Sequence, residues 1–82
     1  PDYVLDEKPD FLVVMVHYFE TGEIIGHSAF DRAVMKSERL EKEFTLAVEV
    51  PGWWSTSRSF DDGLIRSSSV RFRIYKNKSR LN

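Results

Sequence analysis

One nine-residue segment, Phe11 to Phe19, limits the possible folds of this chain more than any other feature. It is rich in valine and aromatic residues, which favour β-strands. Both of its alternating sets of side chains are largely apolar: Phe11, Val13, Met15 and Phe19 on one side, and Leu12, Val14, Val16 and Tyr18 on the other. A strand that is apolar on both sides is usually covered on both faces. We therefore expect this strand to be central in a sheet, with other structure above and below it.

The residues that follow predict a β-hairpin over residues 11–27. Thr21 and Gly22 form the predicted loop, because glycine adopts the positive φ that tight hairpin turns require. Ile24 and Ile25 then belong to a short returning strand.

A two-residue loop at this place fixes the register of the hairpin. It pairs Phe19 with Ile24 and His17 with Gly26, so that His17 and His27 point to opposite faces of the sheet. These are the two histidines of the chain, and a shared metal ion would need both on one face. We therefore predict no metal site.

Residues 29–42 change to a helical period. Ser28 is a good N-cap, and Asp31 stands at the position of a capping box. One arc of the helical wheel holds the apolar and small residues Ala29, Phe30, Ala33, Val34, Ser37 and Leu40. This pattern predicts one amphipathic helix, whereas a short strand over residues 33–35 is the alternative.

Two further segments alternate as strands, over residues 44–50 and 70–75. The predicted inward side chains are Phe44, Leu46, Val48 and Val50 in the first strand, and Val70, Phe72 and Ile74 in the second. The predicted outward side chains of the second strand are Arg71, Arg73 and Tyr75. Residues 55–63 form a predicted polar loop between the two strands.

These elements predict a small α+β domain with a mostly antiparallel sheet and one helix. Their order is similar to that of a β-grasp roll, in which a helix crosses a mixed sheet. An all-β sandwich or barrel is the alternative if residues 29–42 are not helical. With 82 residues, 41% of them hydrophobic, the chain is expected to be a single domain excised from a longer protein. Residues 1–10 are a predicted N-terminal arm, and residues 76–82 are a predicted basic tail.

Several kinds of chemistry find no support in the sequence. There is no cysteine, which excludes disulfides and thiolate sites and favours an intracellular compartment. The serines stand in no nucleophile motif, and the four glycines form no phosphate-binding loop. No apolar run approaches the roughly 20 residues of a membrane helix. We therefore expect a soluble domain that is not an enzyme, binds no cofactor and does not insert into membranes.

Charge is unevenly distributed along the chain. Residues 1–50 contain eleven acidic and five basic residues, whereas residues 51–82 contain two acidic and seven basic ones. The two halves could simply compensate each other in the fold. Alternatively, the basic part could form a face for an acidic partner or a nucleic acid.

The adjacent residues Trp53 and Trp54 suggest a binding surface, because tryptophan, tyrosine and arginine dominate interaction hot spots. In an extended segment they point to opposite sides, so one can enter the core while the other stays near the surface. We predict a protein-interaction module, with an acidic partner as one possibility, that binds through a sheet face or edge. Its predicted contact residues are Trp53, Trp54, Arg71, Arg73 and Tyr75.

The alternative function is binding of single-stranded nucleic acid by the basic C-terminal strand. Further residues for that function are Arg58, Arg66, Lys76 and Lys78.

Overall fold

The structure is a computed structural model that describes residues 2–58 and 63–80. It is a small α+β fold, as the sequence predicts, with four antiparallel strands in the order β2-β1-β4-β3. The elements are α1 (Asp2–Asp6), β1 (Phe11–Phe19), β2 (Ile24–Gly26), α2 (Ala29–Lys36), α3 (Glu38–Glu43), β3 (Phe44–Arg58), β4 (Ile65–Asn77) and a 3₁₀ turn (Lys78–Arg80). Every strand pair is antiparallel, so the sheet differs from the mixed sheet of a β-grasp roll.

The strand β1 is central, as predicted, but the described helices pack against one face of it. On that helix side Leu12 is nearly buried, and Val14 and Val16 are completely buried. On the other side Phe11 is 56% exposed and Val13 is 52% exposed. The expectation that β1 is covered on both faces is therefore wrong for this chain as described.

The hydrophobic core lies between the sheet and the helices. Its buried members are Leu5, Leu12, Val14, Val16, Val34, Leu40, Phe44 and Tyr75. The N-terminal arm contributes Leu5 through α1, so this part of the arm is a docked helix. Asp6 anchors α1 further, because its carboxylate accepts a hydrogen bond of 2.7 Å from Arg39 of α3.

The β1–β2 hairpin has a register that differs by one residue from the prediction. Its loop has three residues: the Gly22 amide donates to the carbonyl oxygen of Phe19, and the Phe19 amide donates to that of Glu23. Gly22 has a φ of 92°, which gives the left-handed position that such a loop needs. As a result, His17 lies opposite Ile25 instead of Gly26. A shift of one residue moves every side chain of the returning strand to the other face.

The predicted helix over residues 29–42 is two helices. Ser37 separates them in an extended conformation and serves as the C-cap of α2 and the N-cap of α3. The predicted capping box between Ser28 and Asp31 is confirmed. Asp31 is also buried, and its carboxylate accepts a further hydrogen bond from the Met15 amide of β1.

Both later strands are longer than predicted. Residues 55–58 belong to β3 and not to a loop, and β4 extends from residue 65 to residue 77. Residues 59–62 of the predicted loop, with its two aspartates, lie outside the described part of the chain. Lys76 and Asn77 belong to β4, and the amide of Asn77 donates to the carbonyl oxygen of Asp10. This part of the predicted tail is therefore ordered in the sheet.

Two β-bulges in β3 overturn its predicted alternation. The register shifts once between Leu46 and Val48, and again between Pro51 and Trp54. Each bulge puts an extra residue on β3 and reverses the side to which later side chains point. Leu46 therefore lies opposite Tyr75 on the helix side, whereas Val48 lies opposite Ile74 on the other side.

Candidate protein-interaction surface

The sheet face away from the helices is apolar, and we call it the open face. The register places on it one side of β1 and the matching sides of the other three strands. Its apolar residues are Phe11, Val13, Met15, Phe19, Ile25, Val48, Val50, Trp53, Val70, Phe72 and Ile74. The predicted inward residues Val70, Phe72 and Ile74 thus face away from the helix-side core, because the helices cover the opposite face. Val70 is nevertheless completely buried.

The centre of the open face is uncharged. Val13 pairs with Ile74, and Met15 pairs with Phe72, on the two central strands. Val48 is 48% exposed, so the face extends across β4 onto β3. Large exposed apolar surfaces are uncommon on soluble monomers, and they frequently mark interaction sites.

The two tryptophans lie on opposite faces of the sheet, and neither enters the core. Trp53 is 55% exposed and contacts the Phe72 ring on the open face, with 5.9 Å between ring centroids. Trp54 is 59% exposed and lies opposite Ser69 on the helix-side face. The expectation that one indole is buried is therefore wrong. The second register shift of β3, between Pro51 and Trp54, lies beside both of them.

The other predicted contact residues lie on the helix-side face. Tyr75 is buried in the core, contrary to its predicted outward position. Arg71 and Arg73 lie over the ring of Tyr18, with guanidinium carbons 4.8 and 5.5 Å from its centroid. The structure therefore does not bring Arg71, Arg73 and Tyr75 together with Trp53.

Glu49 neutralises part of the positive charge of Arg71 and Arg73. Its carboxylate is 2.9 Å from the nearest nitrogen of Arg71 and 3.4 Å from that of Arg73, and it accepts a short hydrogen bond from the Tyr18 hydroxyl. The Tyr18 hydroxyl and Arg71 hold the pKa of Glu49 below its usual range. The two arginines are thus engaged in contacts within the domain, although 43% of the Arg71 side chain stays exposed.

The basic residues of the alternative nucleic-acid function are dispersed. Arg58 donates to the Gly63 carbonyl oxygen at 3.3 Å, and Lys78 donates to that of Glu41 at 2.6 Å. By register, Lys76 and Arg66 lie on the open-face side, ten residues apart on β4, which is about 33 Å along a strand. The apolar centre of the open face separates Lys76 from Arg66.

Sequence reasoning missed a histidine pair at the edge of the open face. The corrected register puts His17 and His27 on the same side, where Nε2 of His17 is 2.8 Å from Nδ1 of His27. The other ring nitrogen of His17 is 2.8 Å from the hydroxyl of the buried residue Ser68. One nitrogen of the pair must donate and the other accept. Full protonation of both rings would therefore set two donors against each other.

Stability is expected to fall in weak acid because of His17. Burial lowers its pKa from 6.5, and His27 lowers it further, while Asp31 acts in the opposite direction. The unfolded chain therefore takes up a proton before the folded one does as the pH falls below about 6.5. Urea unfolding of the wild type should show a lower free energy at about pH 5.5 than at about pH 7.5. His17→Gln should reduce this difference, and an unchanged difference would contradict the assignment.

A groove of about 590 Å³ lies on the helix side, between the α2–α3 junction and β3. Its apolar lining includes Met35, Leu40, Leu46 and Tyr75. Leu46 is 48% exposed here, the same fraction as Val48 on the open face. These two residues of one strand therefore form a matched pair for testing the two faces.

The outer edge of β3 is poorly suited to accept a further strand. Its two bulges break the regular spacing of backbone groups, and Pro51 between them has no amide hydrogen to donate. Of the two surfaces predicted from the sequence, a sheet face or a sheet edge, the face is therefore better formed.

Within residues 2–58 and 63–80, no three histidine, cysteine or acidic side chains are grouped so that they could hold a metal ion. No helix in this part of the chain is long and apolar enough to cross a membrane. Comparisons with protein-family models, curated proteins and solved structures found no match.

Proposed function

We propose that this domain is a protein-interaction module that binds through its open face. The observation that supports the proposal is the uncharged apolar centre of that face, where Val13 is 52% exposed. Burial of apolar surface contributes roughly 25 cal/mol per Å², so contact with another apolar surface is favourable. The partner surface that fits is apolar. An acidic partner would find Lys76 on this face but not Arg71 or Arg73, which Glu49 already engages.

Nucleic-acid binding is less well supported by the same geometry. Base stacking on Trp53 or Phe72 would need nearby cations to neutralise phosphates. The register puts Arg71 and Arg73 on the opposite face. Trp53 and Phe72 are thus separated from these two arginines by the thickness of the sheet. They share their face with Lys76 and Arg66, which lie at its two ends.

Trp53→Ala should weaken partner binding at least tenfold while leaving the fold intact. A large aromatic residue at an apolar interface often contributes more than 2 kcal/mol to binding. Trp54→Ala is the matched control, because Trp54 is equally exposed on the other face. Calorimetric titration of the partner measures both variants. Equal losses of affinity for the two would contradict a role specific to the open face.

The partner is first found by retaining proteins on the immobilised domain and identifying them by mass spectrometry. Wild type is compared with Val48→Asp on the open face and Leu46→Asp on the helix side. The purified candidate is then titrated against all three. Loss of binding with Val48→Asp but not with Leu46→Asp supports the proposal. Equal binding to the three proteins overturns it, and so does failure of wild type to bind any protein or itself.

A further inference from the structure

We infer that the occupant of the open face is a second copy of this chain, which packs face to face as a twofold dimer. This inference rests on the proposed function, since it names the partner of the same surface. Three features of the domain support it: the area of the face, its distribution of charge and the small size of the core.

The area of the open face is sufficient for a weak, reversible dimer. Nine residues at about 3.3 Å each on three strands about 4.8 Å wide, with three further residues on β2, give the face about 480 Å². Two such faces in contact bury about 950 Å² in total, close to the roughly 1,000 Å² at which specific interfaces begin. The largest apolar patch on a typical monomer covers about 300–600 Å², so this face lies in the upper half of that range.

The distribution of charge permits the face to pack against itself. In a twofold dimer each residue near the axis meets its own copy, so a charge there would be repelled. The central residues Met15, Phe72 and Ile74 are uncharged. Lys76 lies towards one end of the strands, and the histidine pair and Arg66 lie towards the other. An axis that runs across the strands near Met15 keeps the two copies of Lys76 apart and places each of them over Ser68 of the other copy, two residues short of Arg66.

A second apolar layer would also add to the stability of the domain. Its core cluster has eight buried residues, and all of them lie on the helix side of the sheet or in the helices. On the open face, Val70 is also completely buried, whereas Phe11, Val13 and Val48 stay about half exposed. Domains of this size have little apolar burial to offset the entropy of folding, and association is one way to add it. Packing two open faces at about 10 Å covers β1 on both sides. That arrangement restores the two-sided burial that the sequence of β1 predicts.

Sedimentation equilibrium of wild type, Val48→Asp and Leu46→Asp tests the inference. As its concentration rises, wild type should approach a mass twice the 9.6 kDa of one chain. Val48→Asp should raise the dissociation constant by about 100-fold or more, because the twofold axis places an unpaired charge in the interface twice. Leu46→Asp introduces the same charge at equal exposure on the helix side, so its dissociation constant should stay within about threefold of wild type. Circular dichroism checks that all three are folded.

Two results would overturn the second copy as occupant. One is a wild type that stays monomeric up to about 1 mM, a concentration at which even very weak pairs associate. The other is a dimer that Val48→Asp leaves intact, since association would then use another surface. If the monomeric protein still binds a different protein in a Val48-dependent way, the proposed function stands without this inference. A monomer that binds no protein at all defeats both.

Discussion

Gly26→Ala is expected to destabilise the domain by about 3 kcal/mol. Gly26 is the last residue of β2 and is buried against the first turns of α2. A methyl group on it would lie 2.6 Å from the backbone nitrogen of Arg32 and 2.8 Å from the carbonyl carbon of Asp31. Backbone atoms of a helix cannot move aside as a flexible side chain does. The whole helix would have to shift away from the sheet.

The loss expected for Gly26→Ala is a large part of the stability of the domain, because a chain of this length has a free energy of unfolding of roughly 4–12 kcal/mol. Urea denaturation measures it, at one protein concentration because association changes the apparent stability. Gly22→Ala is the control. Gly22 has a positive φ but open space around it, so alanine should cost about 1 kcal/mol there. Equal effects of the two substitutions would show that close packing at Gly26 does not control stability.

Asp31→Ala is also expected to cost about 3 kcal/mol, because it removes three hydrogen bonds to one carboxylate. Asp31 accepts from the Met15 amide at 3.1 Å, and from the amide and hydroxyl of Ser28 at 3.0 and 2.7 Å. The carboxylate thus joins the start of α2 to the central strand. Its loss leaves the two backbone amides without that acceptor in a partly buried place.

Ser28→Ala separates the helix cap from the link to the sheet. It removes the hydroxyl that caps the Asp31 amide at 3.1 Å but leaves the carboxylate in place, so it should cost about 1 kcal/mol. Hydrogen exchange of the Met15 amide gives a second measurement. Exchange should accelerate in Asp31→Ala and much less in Ser28→Ala. Unchanged protection of this amide in Asp31→Ala would refute the proposed link.

The sequence predicted the elements of this fold better than the faces to which they point. The apolar run of β1, the capping box at Ser28 and the alternation of β4 each identified an element correctly. The face of the sheet to which a side chain points depends on single insertions in the chain. One additional loop residue beside Gly22 moved His27 to the side of His17, and one bulge after Leu46 moved Val48 away from the helices. The alternation of apolar and polar residues along a strand does not indicate where such a shift occurs.

The candidate surface was predictable in part. Trp53 was identified as a contact residue, and the structure leaves it exposed. The arginines were misplaced because local alternation does not show which side the helices cover. One available signal was the apolar character of both sides of β1. The described helices cover one side of the sheet, so the apolar residues on the other side stay at the surface.

The most direct test of the central claim compares the two tryptophans by fluorescence quenching. Trp54→Phe retains Trp53 on the open face, and Trp53→Phe retains Trp54 on the helix-side face. Both indoles are similarly exposed in the single chain, at 55% and 59%, so acrylamide should quench them alike in a dilute monomer. As the protein concentration rises, Trp53 should become protected and shift its emission to shorter wavelength, while Trp54 stays unchanged. Equal quenching of both at every concentration, or protection of Trp54 alone, would contradict self-association through the open face.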